Sequence, residues 1–215
     1  WVNGILSNPP TQVANILGNA FQTLLKVPDR ALAGAIDKAY TALRPAIKGK
    51  ERQVFIEEAA IQGYYLFRSV PEATVNAIKS FIKEYPVTTI GTKLEYPKAI
   101  KSVIGGIIRI PGRGLVAMDE FFKTIIGNAE KRALAYRGAK KMGLKGKQRF
   151  AKAQELYNGP WYQEAVTKEQ LDRTFQTEGG PIIKGMMSLR KETPGVRYII
   201  PFLRTTGNLI KVGLI

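Results

Sequence analysis

Apolar positions recur along this chain with a helical period. In "TQVANILGNAFQTLLK", Val13, Leu17, Ala20 and Leu24 fall on one stripe, and Asn15, Asn19, Gln22 and Lys26 on another. Ser7 or Asn8 can cap this first helix, with proline tolerated in its first turn. Pro28 is expected to break it, so that "DRALAGAIDKAYTALR" forms a second helix and residues 1–45 a helical hairpin. Pro45 and "KGKE" mark a linker, and Glu51 to Arg68 reads as a third helix. Ser69-x-x-Glu72, with Pro71 behind the serine, has the form of a capping box. It opens a fourth helix with Val75, Ile78, Ile82 and Tyr85 on one face, closed by Pro86; residues 86–97 are the best loop or short extended segment in the chain.

From Lys98 the helical period returns, and Pro111 either kinks that segment or starts a new helix. Met118, Phe122, Ile125, Ala129, Ala133 and Tyr136 then share a face. The pattern predicts one continuous helix to about Lys141, with Phe122, Ile125 and Ala129 buried. "GLKGK" is a turn and residues 147–157 a short helix; Thr167-x-x-Gln170 is a second candidate capping box. Gly179-Gly180-Pro181 breaks the chain before a helix over 182–192. From Phe202 on, Arg204, Asn208 and Lys211 fall on one narrow stripe; Phe202, Leu203, Leu209 and Ile210 belong to the apolar remainder, a surface for subunit contact or for a membrane interface. No alternating strand ladder appears, so the class is all-α: an elongated array of amphipathic helices broken by prolines, in segments 1–45, 46–97, 98–157 and 158–215. The opening at Trp1 and the close on "KVGLI" read as an internal piece of a longer polypeptide.

Composition narrows the chemistry. The chain of 215 residues has 45% apolar residues, enough for a real core. It contains neither cysteine nor histidine, which excludes disulfides, thiolate chemistry, zinc sites of the usual kind and a Ser-His-Asp triad. No run of eighteen apolar residues occurs, and the uncharged residues 1–25 are interrupted by Asn, Gln and Pro9-Pro10. No metal and no cofactor is indicated.

One motif bears on enzymatic function. In "IIRIPGRGLVAMDEFFK", Gly112, Gly114 and Ala117 fit G-x-G-x-x-A. A dinucleotide-binding turn needs a buried strand before the glycines and a second strand with an acidic residue about 20 residues on. Here Pro111 precedes Gly112, and "RALAYRG" lies downstream, basic and helical. The motif reads as a Pro-Gly start to a long amphipathic helix. The neighbours Asp119-Glu120 and Glu57-Glu58 point about 100° apart on a helix, so neither pair converges on a substrate; Glu57 and Glu58 read as a solvated or salt-bridged face.

The formal charge of +16, from 33 basic and 17 acidic residues, favours an anionic partner and leaves nucleic acid, lipid headgroups and an acidic protein surface open. The densest basic stretch, residues 131–152, holds Lys131, Arg132, Arg137, Lys140, Lys141, Lys145, Lys147, Arg149 and Lys152, with no acidic residue and with Tyr136 and Phe150 interleaved. These are the candidate phosphate contacts. A solvated face or docking onto an acidic neighbour are the other readings. Tyr64-Tyr65 and Phe121-Phe122 read as packing rather than base-stacking pairs.

Three stretches carry a resemblance. "LSNPPTQVANILGNA" is similar to a Ser-Asn-Pro-x-Thr-x-x-x-Asn opening; "RIPGRGLVAMDEFFKTI" to an Arg-x-Pro-x-Arg-x-Leu-x-Ala-x-Asp-Glu-Phe-Phe-Lys block; and "TPGVRYIIPFLRTTGNLIKVGL" to a Pro-Gly-x-Arg-Phe-x-x-Pro-Phe-x-Arg-Thr-Pro-x-Asn block, with Thr206 where proline is common. Together and in this order they resemble the internal virion, or DNA-ejection, proteins of short-tailed phages and the related large polyvalent proteins of prophages. The resemblance implies a structural role: storage in the virion interior near the portal, ejection with the genome, and reassembly in the host cell envelope. The partners it implies are further copies of the chain and other virion proteins of the portal or core, with DNA and the host membrane as additional ones. Some such proteins carry a peptidoglycan-cleaving or polymerase domain. No residue here matches those catalytic motifs, so the expectation is a non-enzymatic module that oligomerises for genome delivery. A module holding packaged DNA through residues 131–152 is the alternative.

Overall fold

A computed structural model describes residues 9–43, 53–88 and 110–174. Among them the fold is all-α, with six helices: α1 (Pro9–Leu43), α2 (Glu57–Arg68), α3 (Val70–Lys83), α4 (Ile110–Lys141), α5 (Gly146–Asn158) and α6 (Gln163–Arg173). The expected helix over 182–192, the apolar tail residues Phe202, Leu203, Leu209 and Ile210, and residues 89–97 of the expected loop lie outside the described residues.

α4 is the mast of the fold. It is 32 residues long, and all five other helices touch it. The expected continuous helix over 118–136 lies within it, with Phe122, Ile125 and Ala129 buried and Met118 half-buried. Burial is not confined to that stripe: Leu115 and Ile126 beside it, and Val116, Leu134 and Ala135 on other faces, are buried too. Small side chains make this all-round packing feasible. Ala129, with Ile125, meets Leu66 of α2 and Ala73 of α3, while Ala135 and Ala139 meet Leu156 of α5. The G-x-G-x-x-A motif sits inside the first turns of α4 with Gly112 buried, and no strand occurs among the described residues. The described structure therefore offers no strand–turn–helix unit for a dinucleotide.

Several local expectations are corrected. Pro28 does not break the chain: α1 runs through it for 35 residues, so the hairpin expected over 1–45 is a single helix about 50 Å long. A proline in a helix interior costs one backbone donor and strains the preceding turn. Here the flanking turns are tied to neighbours by Lys26 and Arg30, whose ion pairs are described below. The helix expected from Glu51 begins at Glu57 instead, with residues 53–56 non-helical. Neither capping box forms. Ser69 is the single residue between α2 and α3; its backbone is αR and its side chain makes no cap bond. Glu72 turns outward and accepts a 2.8 Å bond from Asn128 Nδ2. Thr167 and Gln170 lie inside α6, which starts four residues earlier, after Tyr162 in the left-handed region. Gln170 donates instead to the Lys123 carbonyl at 2.8 Å. α3 ends at Lys83, before Pro86, through a left-handed Glu84 whose N–H reaches the Ser80 carbonyl. Of the turn expected over 143–147, residues 143–145 are non-helical, with Gly143 at positive φ, while Gly146, also at positive φ, and Lys147 open α5.

Gly34 is where α1 comes closest to the segment before α2. A Cβ there would stand 2.7 Å from Ile56 N and 2.9 Å from Ile56 Cα, both backbone atoms without a rotamer to yield. At an exposed helical site Gly→Ala gains up to about 1 kcal/mol of helix propensity. At Gly34 overpacking outweighs that gain, and Gly34→Ala is expected to destabilise the chain by about 1–3 kcal/mol in urea denaturation.

Candidate functional site

Most of the largest fully buried side chains in the described structure are polar: Lys26, Lys123, Gln62, Glu58 and Glu120 stand with Ile126 and Val116. α1 explains how. Its polar stripe faces inward, with Asn19, Thr23 and Lys26 buried, while Val13, Leu17, Phe21, Leu24, Leu32 and Ile36 are exposed. On α3, Val75, Ile78 and Ile82 are exposed opposite a buried Ala73 and Ser80; Tyr85, expected on the same face, lies exposed beyond the left-handed Glu84 that ends the helix. Ile56 and, on α2, Tyr64 and Phe67 add a third outward apolar group.

The inward polar groups form one chain of alternating charge. Arg137 of α4 grips Glu58 of α2 through two bonds of 2.9 and 2.7 Å. Glu58 meets Arg30 of α1 at 3.1 Å, and Arg30 holds both oxygens of Glu130 on α4. Glu130 meets Lys26 at 2.8 Å, and Lys26 meets Glu169 of α6 at 2.8 Å. Glu169 meets Arg173 at 3.1 Å, and Arg173 returns to Asp29 of α1 at 2.9 Å. Four cations and four carboxylates thus alternate and cancel. Two further donors complete the carboxylates' shells: Phe55 N–H to Glu58 at 2.9 Å and Gln62 Nε2 to Glu130 at 2.9 Å. The middle of the chain is dry, with Glu58, Lys26 and Glu130 nearly inaccessible, and the Asp29 end is open.

Electrostatics follow the geometry. Burial alone would raise the Glu130 pKa, but Lys26 and Arg30 more than offset it and hold the carboxyl below its ordinary value. Glu169 is likewise lowered against its burial, by Lys26 and Arg173. Glu120 is the opposite case. Its burial dominates, its partners are the Thr88 N–H and hydroxyl at 2.9 and 3.1 Å, and its pKa is raised. Nearby, Asp119 pairs with Lys123 across one turn of α4 at 2.7 Å. In the alternating chain Glu58, Glu130 and Glu169 each sit between two cations, and Asp29 ends it beside Arg173. That suits clamping helices together better than taking up protons from a substrate. No group of His, Cys, Asp and Glu suited to holding a metal ion occurs among the described residues, and no described helix is long and apolar enough to cross a membrane.

The candidate phosphate contacts are dispersed rather than gathered. Arg137 belongs to the charge chain, and Lys140 pairs with Glu57 at 2.7 Å while lying over the Phe55 ring. Lys141 donates to Gln53, and Lys152 pairs with Glu155. Arg132 is stacked between Tyr65 and Tyr157, its carbon 4.6 and 3.5 Å from the ring centroids, and donates to Gln154. Lys131 lies over Tyr157. Arg149 bonds the Leu144 carbonyl and the Tyr136 hydroxyl. Lys145 and Lys147 are exposed at the α4–α5 turn. The salt-bridged reading of Glu57 and Glu58 holds for both residues. The charge chain itself was missed in the sequence. Its one visible signal was the position of Lys26 on the polar stripe of α1, a turn before Arg30.

Removing one carboxylate from the dry middle leaves two cations short of a partner. Glu130→Gln is expected to cost about 3–5 kcal/mol by chemical denaturation at neutral pH. Because the folded pKa values of Glu130 and Glu169 are lowered, their contribution is complete above the ordinary carboxylate value of 4.5 and is lost as pH falls through the depressed folded values. Glu120 has the opposite sign: its raised pKa costs stability at neutral pH and relieves that cost on protonation. Glu120→Gln is therefore expected to be far milder at neutral pH than Glu130→Gln, and melting temperature measured between pH 3 and 7 should fall less steeply in Glu130→Gln than in the parent chain.

Compared with known proteins, the chain matches no family model, no curated protein and no solved structure.

Proposed function

We propose that this chain is a non-enzymatic structural module that assembles with other subunits, as the resemblance to phage internal virion proteins implies, in an assembly serving genome delivery. The observation that carries the reading is the outward apolar surface of α1 and α3: on α1 Asn19, Thr23 and Lys26 face the interior while its apolar stripe faces outward, and on α3 Val75, Ile78 and Ile82 are exposed. Monomeric proteins rarely leave contiguous apolar patches beyond a few hundred Å² uncovered. A subunit that buries those stripes against neighbours resolves the mismatch. The alternative, a DNA-holding module, draws on residues 131–152. Ion pairs and ring contacts within the chain already engage Lys131, Arg132, Arg137, Lys140, Lys152 and Arg149, which weakens it.

Sedimentation velocity of the full chain, without lipid or detergent, is the test. The expected result is concentration-dependent oligomers at physiological salt, and DNA binding that is weak or absent. A monomer at every concentration, with DNA binding that weakens steeply as salt rises, would overturn the assembly reading in favour of the DNA-holding one.

A further inference from the structure

α1 presents its apolar stripe along nearly its whole length. Val13, Leu17, Phe21 and Leu24 precede Pro28; Leu32, Ile36 and Tyr40 follow it, and Leu43 ends the helix, all exposed. Eight side chains, most of them about half exposed, offer on the order of 800 Å², the area one partner contributes to a standard stable interface. The stripe carries almost no charge. The exposed ionisable residues of α1 are Asp29, already paired with Arg173, and Lys38. A stripe of this length, about 45 Å, is matched by another long helix. Among the described residues the other helix of comparable length is α4, and five neighbours already enclose it.

The stripe is also close to symmetric about Pro28. Leu24 and Leu32 lie four residues to either side, and Val13 and Leu43 fifteen; Phe21 lies seven before and Ile36 eight after. Reversing the helix direction therefore sets apolar residues opposite apolar residues. It places Lys38 near the uncharged stretch around Gly18 instead of against its own copy.

Resting on the assembly reading, we propose that α1 binds α1 of a second copy of this chain in an antiparallel pair, with a two-fold axis at Pro28. An isologous pair of this kind is self-complementary by construction. It brings Phe21 of one copy beside Ile36 of the other and holds the two Phe21 residues about 20 Å apart along the axis.

The chain has no cysteine, so introduced thiols report without background. Mixing full chains carrying Phe21→Cys and Ile36→Cys under mild oxidation should give the mixed disulfide, Pro28→Cys alone should cross-link to itself, and Phe21→Cys alone should stay uncrosslinked. Phe21→Asp, on a side chain that supports no described core, should keep its helical circular dichroism and weaken dimerisation by on the order of 30-fold or more. Self-crosslinking of Phe21→Cys would mean a parallel pair and overturn the proposal. So would cross-links that form only with anionic phosphatidylglycerol vesicles, which would make lipid the occupant. Oligomers that persist without any α1 cross-link would overturn this inference and leave the assembly reading standing; a chain that is monomeric throughout would end both.

Discussion

The charge chain from Arg137 to Asp29 is the constraint on which the arrangement of helices depends. It ties α1, α2, α4 and α6 together, and its four cations and four carboxylates cancel. Withdrawing charges from water is expensive, and their mutual attraction offsets this only when geometry is good and the remaining lone pairs are met. Here the offset comes from the bidentate grip of Arg137 on Glu58 and from Arg30 holding both Glu130 oxygens, with Phe55 N–H and Gln62 as further donors. Such a core is specific in a way an apolar one is not. A helix that slid by one turn would leave several buried charges unpaired together, whereas a slid leucine finds another apolar neighbour.

The rest of the packing accommodates this chain. α4 brings small residues to its contacts, so that α2 and α3 close on Ala129 and α5 on Ala135 and Ala139. Gly34 lets α1 settle against the backbone before α2, close to where Glu58 enters the network. Arg132, between Tyr65 and Tyr157, joins α2 and α5 to the mast from the other side. Several cations that look in the sequence like a surface for phosphate also pair within the chain, Arg137 with the buried Glu58 among them.

Periodicity made the described helices legible, and the end of α4 at Lys141 followed from it closely, but the two helices expected either side of Pro28 are one. It could not say which side of a helix faces in. The stripe of Val13, Leu17 and Leu24 and the stripe of Asn15, Asn19 and Lys26 are equally regular; what turns the second inward is the set of carboxylates on α2, α4 and α6, far away in sequence. Pro28 misled for the same reason: local propensity argues for a break, and tertiary ion pairs at Lys26 and Arg30 hold the helix through it. The capping boxes failed because their side chains are placed for other contacts: Glu72 accepts from Asn128, and Gln170, inside α6, donates to the Lys123 carbonyl. Of the candidate site, single cations were visible and the alternation that couples them was not, since it exists only between helices.

The inverted burial of α1 also bears on temperature. Exposing apolar surface raises the heat capacity of unfolding, and exposing polar surface lowers it. A core that hides Lys26, Glu58, Gln62 and Glu130 while Leu17, Leu24, Leu32 and Ile36 of α1 already face outward has less of the first and more of the second than one whose apolar stripes all face in. The stability curve of the single chain is accordingly flatter than that of a chain with its apolar stripes turned inward. In the proposed assembly, covering those stripes would return heat capacity at the contacts between copies and give the assembly a sharper thermal response than its parts.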